Sequence, residues 1–170
     1  EFIVQQFIPK TVDYLVYGCR FRDGKTTIAG VLVRDRMNDS GASSHGLITD
    51  EVPSSVDTAK ITKFLETIEY FGPFSFEYGA YEDRAYFFEV NLRNDGTSHY
   101  FYQAGANLPL AYVYSCAGLD YSEIPICVGE KRWFIDELFD VENVITRNIS
   151  KEKWKQEMNK ATIYKYYDEE

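Results

Sequence analysis

Apolar and polar residues alternate with period two along much of this chain. Residues 86–93, YFFEVNLR, put Tyr86, Phe88, Val90 and Leu92 on one face of a strand and Glu89, Asn91 and Arg93 on the other. The same pattern predicts strands over 2–8 (FIVQQFI), 12–22 and 26–33, with Asp23-Gly24 as a hairpin turn. Residues 35–55, rich in Ser, Gly and Asp, read as a long loop. The period then changes. Ile61, Phe64, Leu65 and Ile68 recur at helical spacing, with Ser54 or Ser55 as cap and Gly72-Pro73 as stop.

Strands over 74–80 and 85–92 follow, around Glu82-Asp83-Arg84. After a Gly/Ser/Asn-rich stretch at 94–107, a helix over 108–117 ends at Gly118. The order predicts an α+β domain, an antiparallel β-sheet with helices packed on one face. It spans residues 1–128, and 129–170 form a mostly helical C-terminal extension containing ISKEKWKQEMNKA.

If 82–84 form the turn, Tyr81 faces Ala85 and Glu77 faces Glu89. Alternation along 74–79 independently puts Glu77 on the polar face. A loop of two residues would break this pairing and send the glutamates to opposite faces. Opposed carboxylates destabilise a sheet unless something positive lies between them. Glu77, Glu89 and Asn91 then offer hard oxygen donors, which suit Mg²⁺ or Mn²⁺ accompanied by substrate phosphates. Arg93 is placed to clamp a phosphate or acyl phosphate, and the Asn94–Ser98 turn offers backbone N–H groups to an anion. The plainer alternative is an exposed polar face whose charges pair with neighbours.

Composition narrows the field. The chain has 170 residues, 45% hydrophobic and 16% aromatic, enough for one core, and its formal charge of −9 disfavours nucleic acid or an anionic membrane as partner. Cys19, Cys116 and Cys127 form no CxxC pair, which fits a reduced, cytoplasmic protein without structural zinc. No apolar stretch approaches membrane-spanning length, and no signal peptide is evident. The chain opens without Met inside an apparent strand, so a piece of a longer protein is expected.

Glu89-Val90-Asn91-Leu92-Arg93 resembles the E-x-N-x-R signature of ATP-grasp enzymes, with Glu77 where the family has a second metal ligand on the preceding strand. Val4-Gln5-Gln6-Phe7-Ile8 resembles that family's V-E-x-[FYW]-[IL] strand. The stretch Asn94–His99 is similar to the glycine-rich segment near the acceptor in D-alanine–D-alanine ligase, which makes Gly96 and Ser98 acceptor-side candidates. The likeness covers about 1–118. It implies the C-terminal subdomain of a carboxylate–amine or carboxylate–thiol ligase that uses ATP and Mg²⁺ and forms an acyl phosphate. Glu77, Glu89 and Asn91 would hold the metal, and Arg93 would stabilise the transferring phosphoryl group. Gln5, Phe7, Ile8 and Asp13 would seat adenine and ribose. The partners implied are a small-molecule carboxylate and an amine. Gln5 departs from the usual Glu, and no proline follows Asn91. The family's phosphate-binding lysines and glycine-rich flap belong upstream of Glu1, so the chain alone is expected to be inactive and to need the rest of its parent.

His45 and His99 read as a solvated loop residue and an acceptor-positioning candidate. Arg20, Arg22, Arg34 and Arg36 read as surface charges, with contact from one of them to a phosphate or a substrate carboxylate as the alternative. A carboxylase-type ATP-grasp enzyme is one competing class. An aromatic-rich carbohydrate-binding module built on Tyr100, Phe101, Tyr102 and Tyr112 is another.

Overall fold

A computed structural model describes residues 2–166. Seven strands form one sheet: β1 (Val12–Arg20), β2 (Thr26–Met37), β3 (Ser43–Thr49), β4 (Gly72–Tyr81), β5 (Arg84–Asn91), β6 (Arg132–Ile135) and β7 (Ile163–Tyr164). Their spatial order is β5-β4-β1-β2-β3-β6-β7, and every neighbouring pair is antiparallel except β6–β7. The helices are α1 (Thr58–Thr67), α2 (Ser98–Gln103), α3 (Leu108–Cys116), α4 (Glu137–Ile145) and α5 (Lys151–Met158). The α+β class and the antiparallel core of the sheet are as the sequence predicts. The segment set apart at 129–170 contributes β6 and β7 to the same sheet.

Period-two alternation gives the sheet two apolar faces. On one, Val16, Val31, Phe74 and Phe76 pack on Ile61 and Leu65 of α1. On the other, Leu15, Tyr17, Leu32 and Ile48 pack on Tyr100 and Phe101 of α2 and Leu108 and Ala111 of α3. The helices therefore divide between the faces and do not lie on the one face expected, because β1, β2 and β4 are apolar on both sides where they are central in the sheet. Burying a side chain such as Leu65 stabilises the fold by about 1.5–3 kcal/mol.

Several local expectations are corrected. Residues 2–8 form no strand, and Phe2, Ile3, Val4 and Phe7 are exposed. Strand-like composition does not suffice, since β-propensity depends on tertiary context, and this segment pairs with no strand of the sheet. The first strand of the meander stops at Arg20, since Phe21 turns inward to accept from Gly24, whose φ of 90° fits the tight turn. The expected long loop at 35–55 contains the end of β2 and all of β3. Its polar residues are inside: Ser43, Ser44 and His45 are buried and each has a hydrogen-bond partner, which removes the cost that makes polar strands rare.

Asp57, not Ser54 or Ser55, caps α1, accepting from the backbone of Ala59 and Lys60. That helix ends by Ile68, and Gly72-Pro73 opens β4 instead of stopping the helix. The stretch 94–107, expected to be irregular, contains α2. The expected helices over 108–117 and within 149–161 are present as α3 and α5.

The β4–β5 hairpin holds the most consequential difference. Its loop is Glu82-Asp83 alone, both at positive φ (48° and 59°), and Tyr81 pairs with Arg84, not with Ala85. A register shift between Glu77 and Tyr78 then inserts Phe88, so that Tyr78 pairs with Phe87 while Glu77 pairs with Glu89. The bulge also changes which aromatic faces α1. Phe87 lies 5.8 Å from Phe76 and 5.9 Å from Tyr78, in the place expected for Phe88. Phe88 instead covers Gly79, where a Cβ would lie 2.3 Å from its ring.

Candidate active site

Registers place Leu15 of β1, Arg34 of β2, Ser75 and Glu77 of β4, and Glu89 and Asn91 of β5 on one face of the sheet. The turn after β5 and the start of α2 rise over that face. They leave a cavity of about 210 Å³ lined by Glu77, Glu89, Asn91, Arg93 and Gly96, among others. Four of these five predicted residues sit on or directly after the bulged hairpin, and Gly96 belongs to the turn. Ser98 begins α2 and is not in the wall.

The side chains form a relay along β5. Arg93 Nη2 donates to Asn91 Oδ1 at 3.4 Å, and Asn91 Nδ2 donates to Glu89 Oε1 at 3.5 Å. Across the ladder, Glu77 Oε2 accepts from both Nη1 and Nη2 of Arg34 at 3.2 Å. Arg34 is thus the cation that the opposed glutamates call for. Its Nε donates to Ser43 Oγ at 2.7 Å, and its side chain is only 8% exposed. Among the described residues, Glu77 Oε1 has no hydrogen-bond partner.

Asp95 sets the turn. It accepts from Ser75 Oγ at 2.7 Å, from the Thr97 backbone N–H at 2.9 Å and from the Thr97 hydroxyl. Next to it, the Tyr17 hydroxyl donates to Asn94 Oδ1 at 3.1 Å. Burial, and then the Asp95 charge, push the Tyr17 pKa well above the ordinary phenol value.

The far wall comes from the C-terminal segment. Phe139 of α4 and Lys165 line the cavity, with the Lys165 ammonium 4.9 Å from the Phe139 ring centroid and 2.9 Å from Asp136. Asp136 is fully buried and also accepts from the Tyr100 hydroxyl at 3.1 Å. Burial first, and then Asp136, raise the Tyr100 pKa far above normal, so this hydroxyl remains a donor.

The adenine- and ribose-side candidates are not brought here. Gln5 and Phe7 are exposed, Ile8 is half-buried, and Asp13 on β1 is ion-paired with Lys10 at 2.7 Å. Arg34, read in the sequence as a surface charge, is instead the partly buried partner of Glu77, and the sequence assigns no side-chain role to Asp95 or Lys165. Reading β2 one residue further would have placed Arg34 opposite Asp13 and on the glutamate face. Asp-Gly-Thr after a strand is an Asx-turn signal that points to Asp95. Nothing in the sequence near Lys165 marks it, because β7 reaches the site only through a parallel crossover.

His45 corrects the expectation of a solvated loop residue. It is 3% exposed on β3, with Nδ1 2.8 Å from Asp35 Oδ2 and its ring stacked on Trp133. Asp35, His45 and Glu157 stand close enough to share a metal ion. The cation position is already filled, however: Arg36 Nη1 lies 3.0 Å from Asp35 and 2.6 Å from Glu157, while its other nitrogens grip Asp140. His99 lies outside the cavity wall, with Nε2 3.3 Å from the Tyr164 carbonyl.

No protein-family model matches the chain, and no curated protein matches it by sequence. Solved structures do match in fold. The phosphoribosylaminoimidazole carboxylase ATPase subunit from Aquifex aeolicus superposes with a TM-score of 0.64 at 14% identity, over 78% of this chain and 40% of that one. N5-carboxyaminoimidazole synthetase from Staphylococcus aureus complexed with ADP gives 0.63 at 15% identity, over 87% and 40%. Rhizobium etli pyruvate carboxylase gives 0.59 at 14% identity, over 76% and 13%. The chain therefore shares its α+β fold with part of each of these proteins. The chain spans about two fifths or less of the length of each of these proteins. Among the described residues, no helix is long and apolar enough to cross a membrane.

Proposed function

We propose that this chain supplies the metal- and phosphate-holding wall of an ATP-dependent carboxylate–amine or carboxylate–thiol ligase. The observation that carries the proposal is the direct opposition of Glu77 and Glu89, with Asn91 and Arg93 one and two steps further along the same face of one cavity. Two carboxylates and an amide oxygen are the hard donors that Mg²⁺ or Mn²⁺ takes, so the residues present fit the ion that the fold implies. When bound, that ion would be held by Glu77, Glu89 and Asn91 and would supply positive charge to offset the charge developing on the phosphates during transfer.

The chain's own residues orient and exclude. Glu77 is held by Arg34 and Glu89 by Asn91, which fixes both carboxylates before substrate arrives. Arg93, two residues beyond Asn91, is placed to stabilise the transferring phosphoryl group or the acyl phosphate formed on the substrate carboxylate. The turn held by Asp95 presents Gly96, which has open space around its α-carbon, to an acceptor. Lys165 and Phe139 close the opposite side against water. The adenine would lie against Gln5, Phe7 and Ile8 only with the remainder of a parent chain in place, and the ribose against Asp13. The isolated chain would then be inactive.

The experiment is ADP release by the intact protein with Mg·ATP and a panel of carboxylates, including bicarbonate, each with and without amines. Release that needs both partners and is lost in Glu89→Gln is expected. Release with bicarbonate and no amine would instead assign the carboxylase chemistry that the names of the structural neighbours describe. Release unchanged in Glu89→Gln would overturn the metal assignment.

A further inference from the structure

The cavity wall balances its charges. On the wall itself the carboxylates of Glu77, Glu89 and Asp95 meet Arg34, Arg93 and Lys165, the last of which is already paired with Asp136 behind the wall. A cage built for a bare divalent ion carries an excess of acidic ligands, because ligand charge count sets its affinity. This site lacks that excess, and Arg34 is the reason at its centre. It grips a proposed metal-ligating carboxylate, through two contacts of 3.2 Å to a single oxygen of Glu77, while Arg93 touches only the amide of Asn91.

From these contacts we infer that Arg34 selects a metal–polyphosphate pair over the free metal ion, an assignment that rests on the metal reading of Glu77, Glu89 and Asn91 proposed above. The geometry leaves Glu77 Oε1 for an ion while Oε2 stays with the guanidinium. A guanidinium presents five N–H donors, and Arg34 commits three: one to Ser43 and two to Glu77. Arg34 lines the cavity together with the metal ligands, where its remaining donors would meet a phosphate oxygen brought by the ion. Arg34 therefore repels a dication that arrives alone and attracts one that arrives with anions. Anchoring by Ser43 and the small exposure of the side chain keep it from swinging away.

The test uses Mn²⁺ as probe with the intact protein, free Mn²⁺ binding being read by the electron paramagnetic resonance of the free ion and Mn·ADP binding by equilibrium dialysis of labelled ADP at saturating Mn²⁺. In Arg34→Met, removing one unit charge beside a dication should tighten free Mn²⁺ binding about tenfold. Mn·ADP binding should weaken about tenfold, as a charged hydrogen-bond donor is lost. Arg34→Lys, which keeps the charge without the fork, should leave free Mn²⁺ at the wild-type level and restore part of the Mn·ADP affinity. Arg34→Gln, which can still bond Glu77, should give the same opposed shifts should the methionine variant not fold. Equal shifts of one sign for Mn²⁺ and Mn·ADP, or no shift in either, would overturn the selective role. Wild-type protein that takes up neither Mn²⁺ nor Mn·ADP, indistinguishable from Glu89→Gln, would overturn the ligand set itself and the inference with it.

Discussion

Glu77 and Glu89 face one another across the β4–β5 ladder only because Phe88 is bulged out between them and the turn. The loop of Glu82 and Asp83, continued in regular register, would set Glu77 against Phe88 and send Glu89 to the α1 face. One inserted residue reverses that parity, and the candidate site depends on it.

Deleting Phe88 should therefore leave a regular hairpin that still sets Glu89 opposite Glu77, because only the unpaired residue is lost. Mn²⁺ uptake in the presence of ADP should persist in that variant, and its loss with the circular dichroism of the folded protein intact would show that the bulge is needed for more than parity. Gly79→Ala probes the same bulge from below. Its Cβ would meet the Phe88 ring at 2.3 Å, so a loss of about 1–3 kcal/mol in chemical denaturation is expected from overpacking. A Gly79→Ala protein as stable as the wild type would mean that Phe88 shifts freely and does not fix the register.

Asp95 is expected to act through the turn and not through the reacting groups. It takes three donors from Ser75 and Thr97, so Asp95→Ala leaves a buried serine hydroxyl and a backbone N–H without their partner. A destabilisation of about 1–3 kcal/mol should accompany it. For the catalytic readout, KM for the acceptor should rise more than KM for ATP, since Gly96 is the part of the wall that the turn presents. An equal rise in both would assign Asp95 to the nucleotide instead.

Acid should loosen the corner around His45. The hydrogen bond from His45 holds the Asp35 carboxyl below the ordinary carboxylate value, against the opposing effect of its burial. A depressed folded-state pKa gives stability that is complete above the unfolded value, about 3.9, and lost as pH falls through the lower folded value. The effect is modest because Asp35 is half exposed. Asp35→Asn should flatten the acid limb of the stability profile below about pH 4, measured by urea denaturation at a series of pH values. Identical limbs in the two proteins would show that the pair contributes nothing on folding.

Much of the site was legible in the sequence because it is local. Glu89, Asn91 and Arg93 share a face by alternation along one strand, and Glu77 reaches that face by alternation along the next. The expected opposition of Glu77 and Glu89 is observed, though by a different route: a loop of three residues was expected, and a shorter loop plus a bulge gives the same pairing. The strand hidden in 35–55 was illegible for a physical reason. Ser43, Ser44 and His45 look like loop residues until Arg34, Asp140 and Asp35 are present to satisfy them. Conversely, FIVQQFI looks like a strand, yet it pairs with no strand of the sheet, because pairing is decided by tertiary context and not by composition.

Sequence alone determined the α+β class, the two-faced strands, α3 and α5, and the line of oxygen donors along β5, because each depends on side-chain period over a few neighbouring residues. Tertiary structure alone decided that Arg34 grips Glu77, that Asp95 ties the turn to Ser75, and that Lys165 and Phe139 wall the cavity from a distant part of the chain. Those contacts join residues tens of positions apart, and their existence depends on sheet order, register and one bulge, which no local pattern encodes.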